Sequence, residues 1–270
     1  SMKYNLPTIT LGRMGLTVTR LGIGGAYCKT VEGYQAALDM GVTYVDTARA
    51  YEDGKDEEIV GQALVGRREN LVLASKTVVR DAEGARKELE TSLRLLRTDH
   101  LDIWQIHYLN TQEEREQVLG PGGAYEAALK ARDEGLIRFI GVTGHNWEEV
   151  GKAVATGLFD TVLCWYNCAM KEPEDLIFPH AQKHNTGVVI MSAGRRDKLF
   201  EEPGSPPPES FYRYVLSHPA VHVSLFGLRN LETFERVAQG LAERDTLVSC
   251  EREELEKYGK QLRDAGKLEL

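Results

Sequence analysis

The stretch Gly41-Val42-Thr43-Tyr44-Val45-Asp46-Thr47-Ala48-Arg49-Ala50-Tyr51 joins a short apolar run to a carboxylate and, five residues later, to a tyrosine. This pattern is typical of a buried strand whose carboxyl end releases polar groups into a loop. Two later apolar runs end in the same way, one at Lys76 and one at His107. In a barrel of alternating strands and helices, functional side chains lie at this end of the strands. We therefore expect Asp46, Tyr51, Lys76 and His107 to share one pocket.

Apolar runs of strand length alternate with segments of helical spacing along the rest of the chain. The predicted strands are 21–25, 44–46, 71–76, 101–107, 139–143, 161–165, 188–191 and 221–225. The predicted helices are 30–40, 56–65, 82–97, 123–134, 147–157, 174–184, 208–217, 231–242 and 250–265. Continuous apolar strands indicate a parallel sheet buried on both faces. Eight strand–helix units in this length predict an α/β fold, a (β/α)8 TIM barrel.

Two further features of the pattern bear on this fold. The short runs on either side of Arg13-Met14-Gly15 predict an N-terminal β-hairpin. A doubly wound open sheet is the competing fold, but it normally carries a GxGxxG loop after its first strand. The residues Gly22-Ile23-Gly24-Gly25-Ala26 do not have that spacing. The closed barrel is therefore the favoured interpretation.

Composition excludes several classes of function. The chain has 270 residues, 42% of them hydrophobic, which suits a single domain over residues 1–270. A net charge of −8 argues against nucleic-acid binding, which needs a basic face. We find no apolar run long enough to span a membrane and no signal peptide. Four scattered cysteines make no disulfide framework, so we expect a cytoplasmic protein.

The four polar residues at the strand ends have a common chemical use. A free tyrosine has a pKa of about 10, which is too high for efficient proton transfer near neutrality. A neighbouring ammonium group favours the phenolate and lowers that pKa, and a carboxylate keeps a buried ammonium charged. Asp46 is thus expected to pair with Lys76, and Lys76 to polarise Tyr51, which donates a proton to a carbonyl oxygen. His107 orients the same oxygen, and a nicotinamide can supply the hydride.

These residues, with Ser75-Lys76, Gln105-Ile106-His107, residues 137–142 and Gly227-Leu228-Arg229, resemble the aldo-keto reductases. The resemblance implies that the N-terminal hairpin closes the bottom of the barrel. It also implies NADPH-linked reduction of an aldehyde, ketone or sugar-like carbonyl, with NADH possible as the cofactor. Tyr51 is then the general acid, and the small-molecule carbonyl substrate is the expected partner. The oligomeric state is left open.

The resemblance also implies a cofactor site, in which several positions depart from the family pattern. Thr143-Gly144 stands where the family has Ser-Asn, Leu163 where it has glutamine, and Met191 where it has a stacking aromatic residue. Arg229, Asn230 and Thr233 fall where the family holds the adenosine phosphate, and the loop after strand seven is expected to contact the pyrophosphate. The full expected set is Gly25, Ala26, Asp46, Thr143, Gly144, Leu163, Met191, Ser192, Arg195, Lys198, Gly227, Arg229, Asn230 and Thr233.

On the substrate side we expect Tyr27, Tyr108 and His145 to line the pocket, with Trp165 near the mouth. Little chain follows the last helix, which predicts an open, polar site for small or hydroxylated carbonyls. Glu113–Glu116 is interpreted as a solvated loop.

Two alternatives to carbonyl reduction stay open at this point. A nicotinamide-binding sensor with little turnover is favoured by Leu163, Gly144 and Met191, and the reverse oxidation of a sugar or polyol is also compatible. Cys164 and Cys168 with His180 and His184 imitate a zinc spacing, but their predicted places in a strand and a helix argue against it, so no metal is expected.

Overall fold

Eight parallel strands close into a barrel in the computed structural model, which describes residues 2–270. Each strand pairs with the next along the chain, and the last pairs with the first to complete the ring. The predicted (β/α)8 barrel is therefore confirmed. The barrel strands are β3 (Leu21–Gly24), β4 (Tyr44–Asp46), β5 (Val72–Thr77), β6 (Leu101–Ile106), β7 (Ile137–Thr143), β8 (Thr161–Trp165), β9 (Gly187–Met191) and β10 (Val223–Gly227).

A helix or a pair of helices follows every barrel strand, and an additional helix ends the described chain. Polar caps begin many of them: the Thr30, Asp81 and Asn146 side chains each accept a backbone N–H from the first turn. The helices are α1 (Val31–Asp39), α2 (Lys55–Ala63), α3 (Ala82–Leu95), α4 (Gln112–Leu119), α5 (Ala124–Asp133), α6 (Trp147–Ala155), α7 (Pro173–Leu176), α8 (Phe178–His184), α9 (Pro208–Leu216), α10 (Leu231–Glu243) and α11 (Glu251–Asp264). None of these helices, within residues 2–270, has the length and apolar character needed to cross a membrane.

A hairpin covers the amino end of the barrel, as predicted. Its strands, β1 (Thr8–Thr10) and β2 (Thr17–Thr19), pair antiparallel, and Gly15 at φ 68° makes the turn between them. Apolar side chains of this segment pack into the strand starts. That inner core contains Leu11, Met14, Leu16, Val18, Tyr44, Val72, Ala74, Ile103, Leu163, Val189, Val223 and Leu225. Because this plug fills the lower half of the barrel, the open space lies at the carboxyl end.

The structure departs from the predicted elements in several places, and β7 begins two residues earlier than predicted. Glu113–Glu116 lies in α4, which Thr111 caps by accepting the Glu114 N–H, so the interpretation as a loop is wrong. The predicted helix 174–184 is split at Ile177, since Pro179 in the first turn of α8 has no N–H to continue α7. The last barrel strand begins and ends two residues later than predicted.

Candidate active site

Four polar side chains meet at the carboxyl end of the barrel. Asp46 ends β4, Lys76 lies near the end of β5, and His107 directly follows β6. Lys76 Nζ donates to Asp46 Oδ2 at 2.6 Å, to Tyr51 Oη at 2.9 Å and to the Thr47 carbonyl at 3.1 Å. All three donor positions of the ammonium group are thus occupied, and the tyrosine hydroxyl is held against a buried positive charge.

Gln105 is a further member of this network that the sequence reasoning missed. Its Nε2 donates to Asp46 Oδ1 at 2.8 Å, so each carboxylate oxygen of Asp46 accepts one hydrogen bond. The residue was within reach of sequence analysis, because alternate residues of a strand point to the same face. Gln105 precedes His107 by two positions and therefore points into the barrel with it.

Burial and charge set the protonation states of this network. Burial raises the pKa of the Asp46 carboxyl, while Lys76 and Gln105 oppose that rise. Burial alone would lower the pKa of the Lys76 ammonium, but Asp46 and Tyr51 outweigh it and hold that pKa above its usual range. We therefore describe the pair as an ion pair at neutral pH. Burial also raises the pKa of Tyr51, and Lys76 offsets part of the rise. Tyr51 accordingly carries its proton at neutral pH.

His107 is a neutral imidazole in this environment. Burial and the nearby Lys76 charge lower its pKa to about 2. Its Nδ1 is buried and meets no hydrogen-bond partner among residues 2–270. The ring lies edge-on to Tyr51, with centroids 5.8 Å apart, and is stacked on Tyr108 at 4.0 Å. A neutral imidazole beside the tyrosine hydroxyl can hydrogen-bond a carbonyl oxygen without adding a charge.

Two buried carboxylates, Asp56 and Glu57, hold the loop that carries Tyr51 through hydrogen bonds and an ion pair. Asp56 accepts the Thr47 hydroxyl at 2.5 Å and the Tyr34 hydroxyl at 2.6 Å. Glu57 is fully buried, accepts the Ser75 hydroxyl at 2.8 Å and lies 2.9 Å from Arg49 Nη1. The Asp56 contacts join the two ends of the loop and connect them to α1, and the Glu57 contact connects the loop to β5. Together they position Tyr51 before any ligand arrives.

A cavity of about 160 Å³, open to solvent, lies above the four residues. All four line it, together with most of the expected cofactor and substrate positions. These are Gly25, Ala26, Tyr27, Tyr108, Thr143, His145, Leu163, Met191, Ser192, Gly227 and Arg229. The cavity is also lined by Trp165, which was expected near the mouth. The lining residues that the sequence reasoning did not assign are Gly24, Gly194, Arg196, Asp197, Tyr212 and Leu225.

Five expected cofactor residues do not line this cavity. Gly144 is packed behind it against Val150 and Asn110. Asn230 and Thr233 are joined to each other in the N-terminal cap of α10. The remaining two, Arg195 and Lys198, bind the end of the chain instead: Arg195 donates to the Leu268 and Glu269 carbonyls, and Lys198 pairs with the Glu269 carboxylate at 3.2 Å.

Two other arginines face the cavity instead. Arg196 is exposed, and the described chain gives its guanidinium no hydrogen-bond or ion-pair partner. Arg229 lies over the Tyr27 ring at 4.0 Å and 3.6 Å from the Asp197 carboxylate. The arginines that line the cavity are thus Arg196 and Arg229.

The spacing of Cys164, Cys168, His180 and His184, which imitates a zinc site, does not form a set of metal ligands in the structure. Within the described residues, no group of three or more histidine, cysteine or acidic side chains is arranged to hold a metal. Cys164 and Cys168 are buried thiols, and His184 contacts the Ala155 carbonyl at 3.1 Å.

The barrel, with polar residues at the carboxyl ends of its strands, indicates an oxidoreductase. Comparison with known proteins supports that class. The model of the Aldo/keto reductase family matches residues 8–196, so the chain belongs to that family. "Aldo-keto reductase YhdN" from Bacillus subtilis is 35% identical over 201 residues, which are 68% of this chain and 59% of that protein. "Methylglyoxal reductase YeaE" from Escherichia coli is 32% identical over 145 residues, 53% of this chain and 49% of that protein. The matches thus span only about half to three fifths of these curated relatives.

Solved structures extend the likeness over nearly the whole chain. An aldo/keto reductase from Klebsiella pneumoniae, in complex with NADP and acetate, is 26% identical with a TM-score of 0.79. The match covers 95% of this chain and 96% of that one. The holo form of aldo-keto reductase AKR11C1 from Bacillus halodurans has a TM-score of 0.83 at 24% identity, covering 94% and 96% of the two chains. At that identity the second comparison speaks for the fold alone.

Proposed function

We propose that this protein reduces the carbonyl group of a small aldehyde, ketone or sugar-like compound with NADPH, and that Tyr51 is the general acid. The observation that carries the proposal is the contact of a protonated, partly buried Tyr51 with the buried Lys76 ammonium at 2.9 Å. A phenol held in this way can give up its proton at the moment when negative charge develops on a carbonyl oxygen.

The residues of the cavity fit a nicotinamide nucleotide. Arg196 and Arg229 suit phosphate groups, because a guanidinium forms strong charge-assisted hydrogen bonds with phosphate oxygens. Thr143 and Ser192, whose hydroxyls can hydrogen-bond polar groups of a nucleotide, also line the cavity. The Klebsiella pneumoniae structure with NADP supports the same cofactor. When bound, NADPH would supply the hydride that adds to the carbonyl carbon.

The chain's own residues then handle the proton. Tyr51 transfers its hydroxyl proton to the carbonyl oxygen, which becomes the alcohol of the product. Lys76 stabilises the resulting phenolate, and Asp46 with Gln105 keeps the ammonium group in place. His107, being neutral, can donate its ring N–H to the same oxygen without adding a charge or competing for the proton. In the reverse direction the Tyr51 phenolate would take the alcohol proton and the hydride would pass to NADP⁺, so the direction depends on the supply of substrate and of each cofactor form.

Tyr51→Phe tests this proposal. Turnover of a panel of aldehydes and ketones is expected to fall by roughly 10²- to 10⁴-fold, the range of a lost general acid. Binding of NADPH, measured by fluorescence titration, is expected to be retained. Tyr125→Phe is the matched control, because its hydroxyl donates to the Leu158 carbonyl on the outside of the barrel. Near-normal turnover by Tyr51→Phe would refute the acid role.

A nicotinamide-binding sensor is the second candidate, since the apolar Leu163 and Met191 lie in the cavity wall. Weaker orientation of a nicotinamide by such residues would harm turnover before binding. NADPH binding without oxidation against the whole carbonyl panel would favour the sensor. We further propose that residues 1–270 act as one domain.

A further inference from the structure

Arg195 lies behind the cavity wall, although the sequence analysis placed it at the cofactor phosphates. Only 6% of its surface is exposed. Nε donates to the Leu268 carbonyl at 3.1 Å and Nη2 to the Glu269 carbonyl at 2.9 Å. The guanidinium carbon is 5.0 Å from the centroid of the Trp165 ring. The side chain is thus held between two backbone carbonyls and the back of one aromatic ring.

From Trp165 a continuous series of ring contacts reaches the catalytic centre. Trp165 is stacked on His145, with centroids 3.7 Å apart and planes within 14°. His145 meets Tyr108 edge-on at 5.0 Å, and Tyr108 is stacked on His107 at 4.0 Å with planes within 12°. We call these four rings, from Trp165 to His107, the aromatic wall. All of them line the cavity, and 39% of Tyr108 is exposed.

We propose that Arg195 is a positioning residue for this aromatic wall, and that the wall selects carbonyl compounds whose carbonyl is conjugated to an aromatic or other planar group. The proposal rests on the proposed function and replaces the expectation of an open, polar substrate site. Aromatic rings that line the cavity favour planar ligands, since aromatic groups gain more than buried area when they stack or meet edge-on.

The geometry also explains why arginine is needed behind the wall. A planar guanidinium can stack on the Trp165 ring while its N–H groups bond the two carbonyls, and a lysine ammonium cannot do both. The neighbouring Arg196 differs in every respect, because it is exposed, faces the cavity and has no partner in residues 2–270. The two consecutive arginines are therefore expected to affect different ligands: Arg195 the carbonyl substrate, through the aromatic wall, and Arg196 the phosphates of NADPH.

The experiment compares Arg195→Met with Arg196→Met, using NADPH affinity and kcat/KM for benzaldehyde and for propanal. In Arg195→Met, NADPH affinity is expected to stay within about twofold, while kcat/KM for benzaldehyde falls roughly 3- to 10-fold more than for propanal. In Arg196→Met, NADPH affinity is expected to fall roughly tenfold or more, with the ratio of the two aldehydes unchanged. A loss of NADPH affinity in Arg195→Met with an unchanged aldehyde ratio would overturn the proposal.

Trp165→Leu provides a second test, should the buried Arg195→Met fail to fold. Trp165 is only partly buried, and we expect the same loss of benzaldehyde preference without loss of NADPH affinity. Trp165→Phe, which keeps a flat ring, is expected to recover most of that preference. Equal preference in wild type and Trp165→Leu would overturn the proposal.

Binding of benzamide separates this proposal from the proposed function. Benzamide is planar and is not reduced, so its affinity in the presence of NADP⁺ can be measured without turnover. Wild type is expected to bind it several-fold more tightly than Trp165→Leu does. Equal affinity, or no binding to either protein, would overturn the subsite even if carbonyl reduction is observed. Absence of turnover with tight benzamide binding would instead count against the reductase alone.

Discussion

Replacement of Lys76 by methionine should harm stability and turnover for two separable reasons. The ammonium group is 1% exposed and forms hydrogen bonds with Asp46, Tyr51 and the Thr47 carbonyl. Lys76→Met leaves a buried carboxylate whose remaining side-chain hydrogen-bond partner within residues 2–270 is Gln105. Removing one partner of a buried ion pair costs about 3–5 kcal/mol of unfolding free energy. In a chain of this length that corresponds to a fall in Tm on the order of 10 °C.

The double variant Asp46→Asn with Lys76→Met should recover most of this stability, because replacing both charges of a buried pair is close to neutral. It should not recover turnover, since Tyr51 still lacks a positive neighbour and proton transfer remains slowed by roughly 10²- to 10⁴-fold. Urea denaturation followed by circular dichroism and the carbonyl-dependent oxidation of NADPH measure the two effects. A double variant that is as unstable as Lys76→Met, or one that regains turnover, would refute the reasoning.

The pH dependence of the stability of Lys76→Met follows from the direction in which the pKa of Asp46 is shifted. Burial raises the pKa of Asp46 even with Lys76 present, and losing the ammonium group raises it further. The folded state of Lys76→Met then binds a proton more tightly than the unfolded state. Its stability relative to the double variant should therefore be highest near pH 5 and decrease as the pH rises towards 8.

Two further predictions concern positions outside the cavity. Thr111 caps α4, so Thr111→Ala should lower the free energy of unfolding, measured in urea, by about 1 kcal/mol. Thr111→Ser keeps the hydroxyl and should cost little. Equal stability of both variants and wild type would contradict the cap. His222 accepts the Val188 N–H, and burial lowers its pKa to about 4, so the unfolded state binds the extra proton below pH 6.5. Wild type should therefore lose roughly 1–2 kcal/mol between pH 7 and pH 5 through this group, and His222→Gln should reduce that slope; an unaltered slope would show that other groups cause it.

Much of the fold could be predicted because strand ends and apolar periods are local features. Asp46, Lys76 and His107 each follow a continuous apolar run, and the barrel brings such ends to one rim. Helix α4 was missed for an equally local reason, since Gln112–Leu119 carries almost no apolar stripe and is recognised mainly by its Thr111 cap. The break between α7 and α8 depends on Pro179, through which the predicted helix 174–184 was continued.

The loop after β9 shows why the remaining site residues could not be predicted. Arg195 and Arg196 are adjacent and chemically identical, and a loop has no period that would assign them to different sides. What separates them is contact with Leu268 and Glu269, more than 70 residues away in the chain. Such distant partners are visible only in three dimensions. The cytoplasmic location stays a prediction.

The hairpin of Thr8–Thr10 and Thr17–Thr19 closes the amino end of the barrel. Molecules that reach Tyr51 therefore enter and leave at the carboxyl end, where the cavity opens to solvent. When two molecules occupy the cavity together, the one nearer the mouth lies between the other and the solvent.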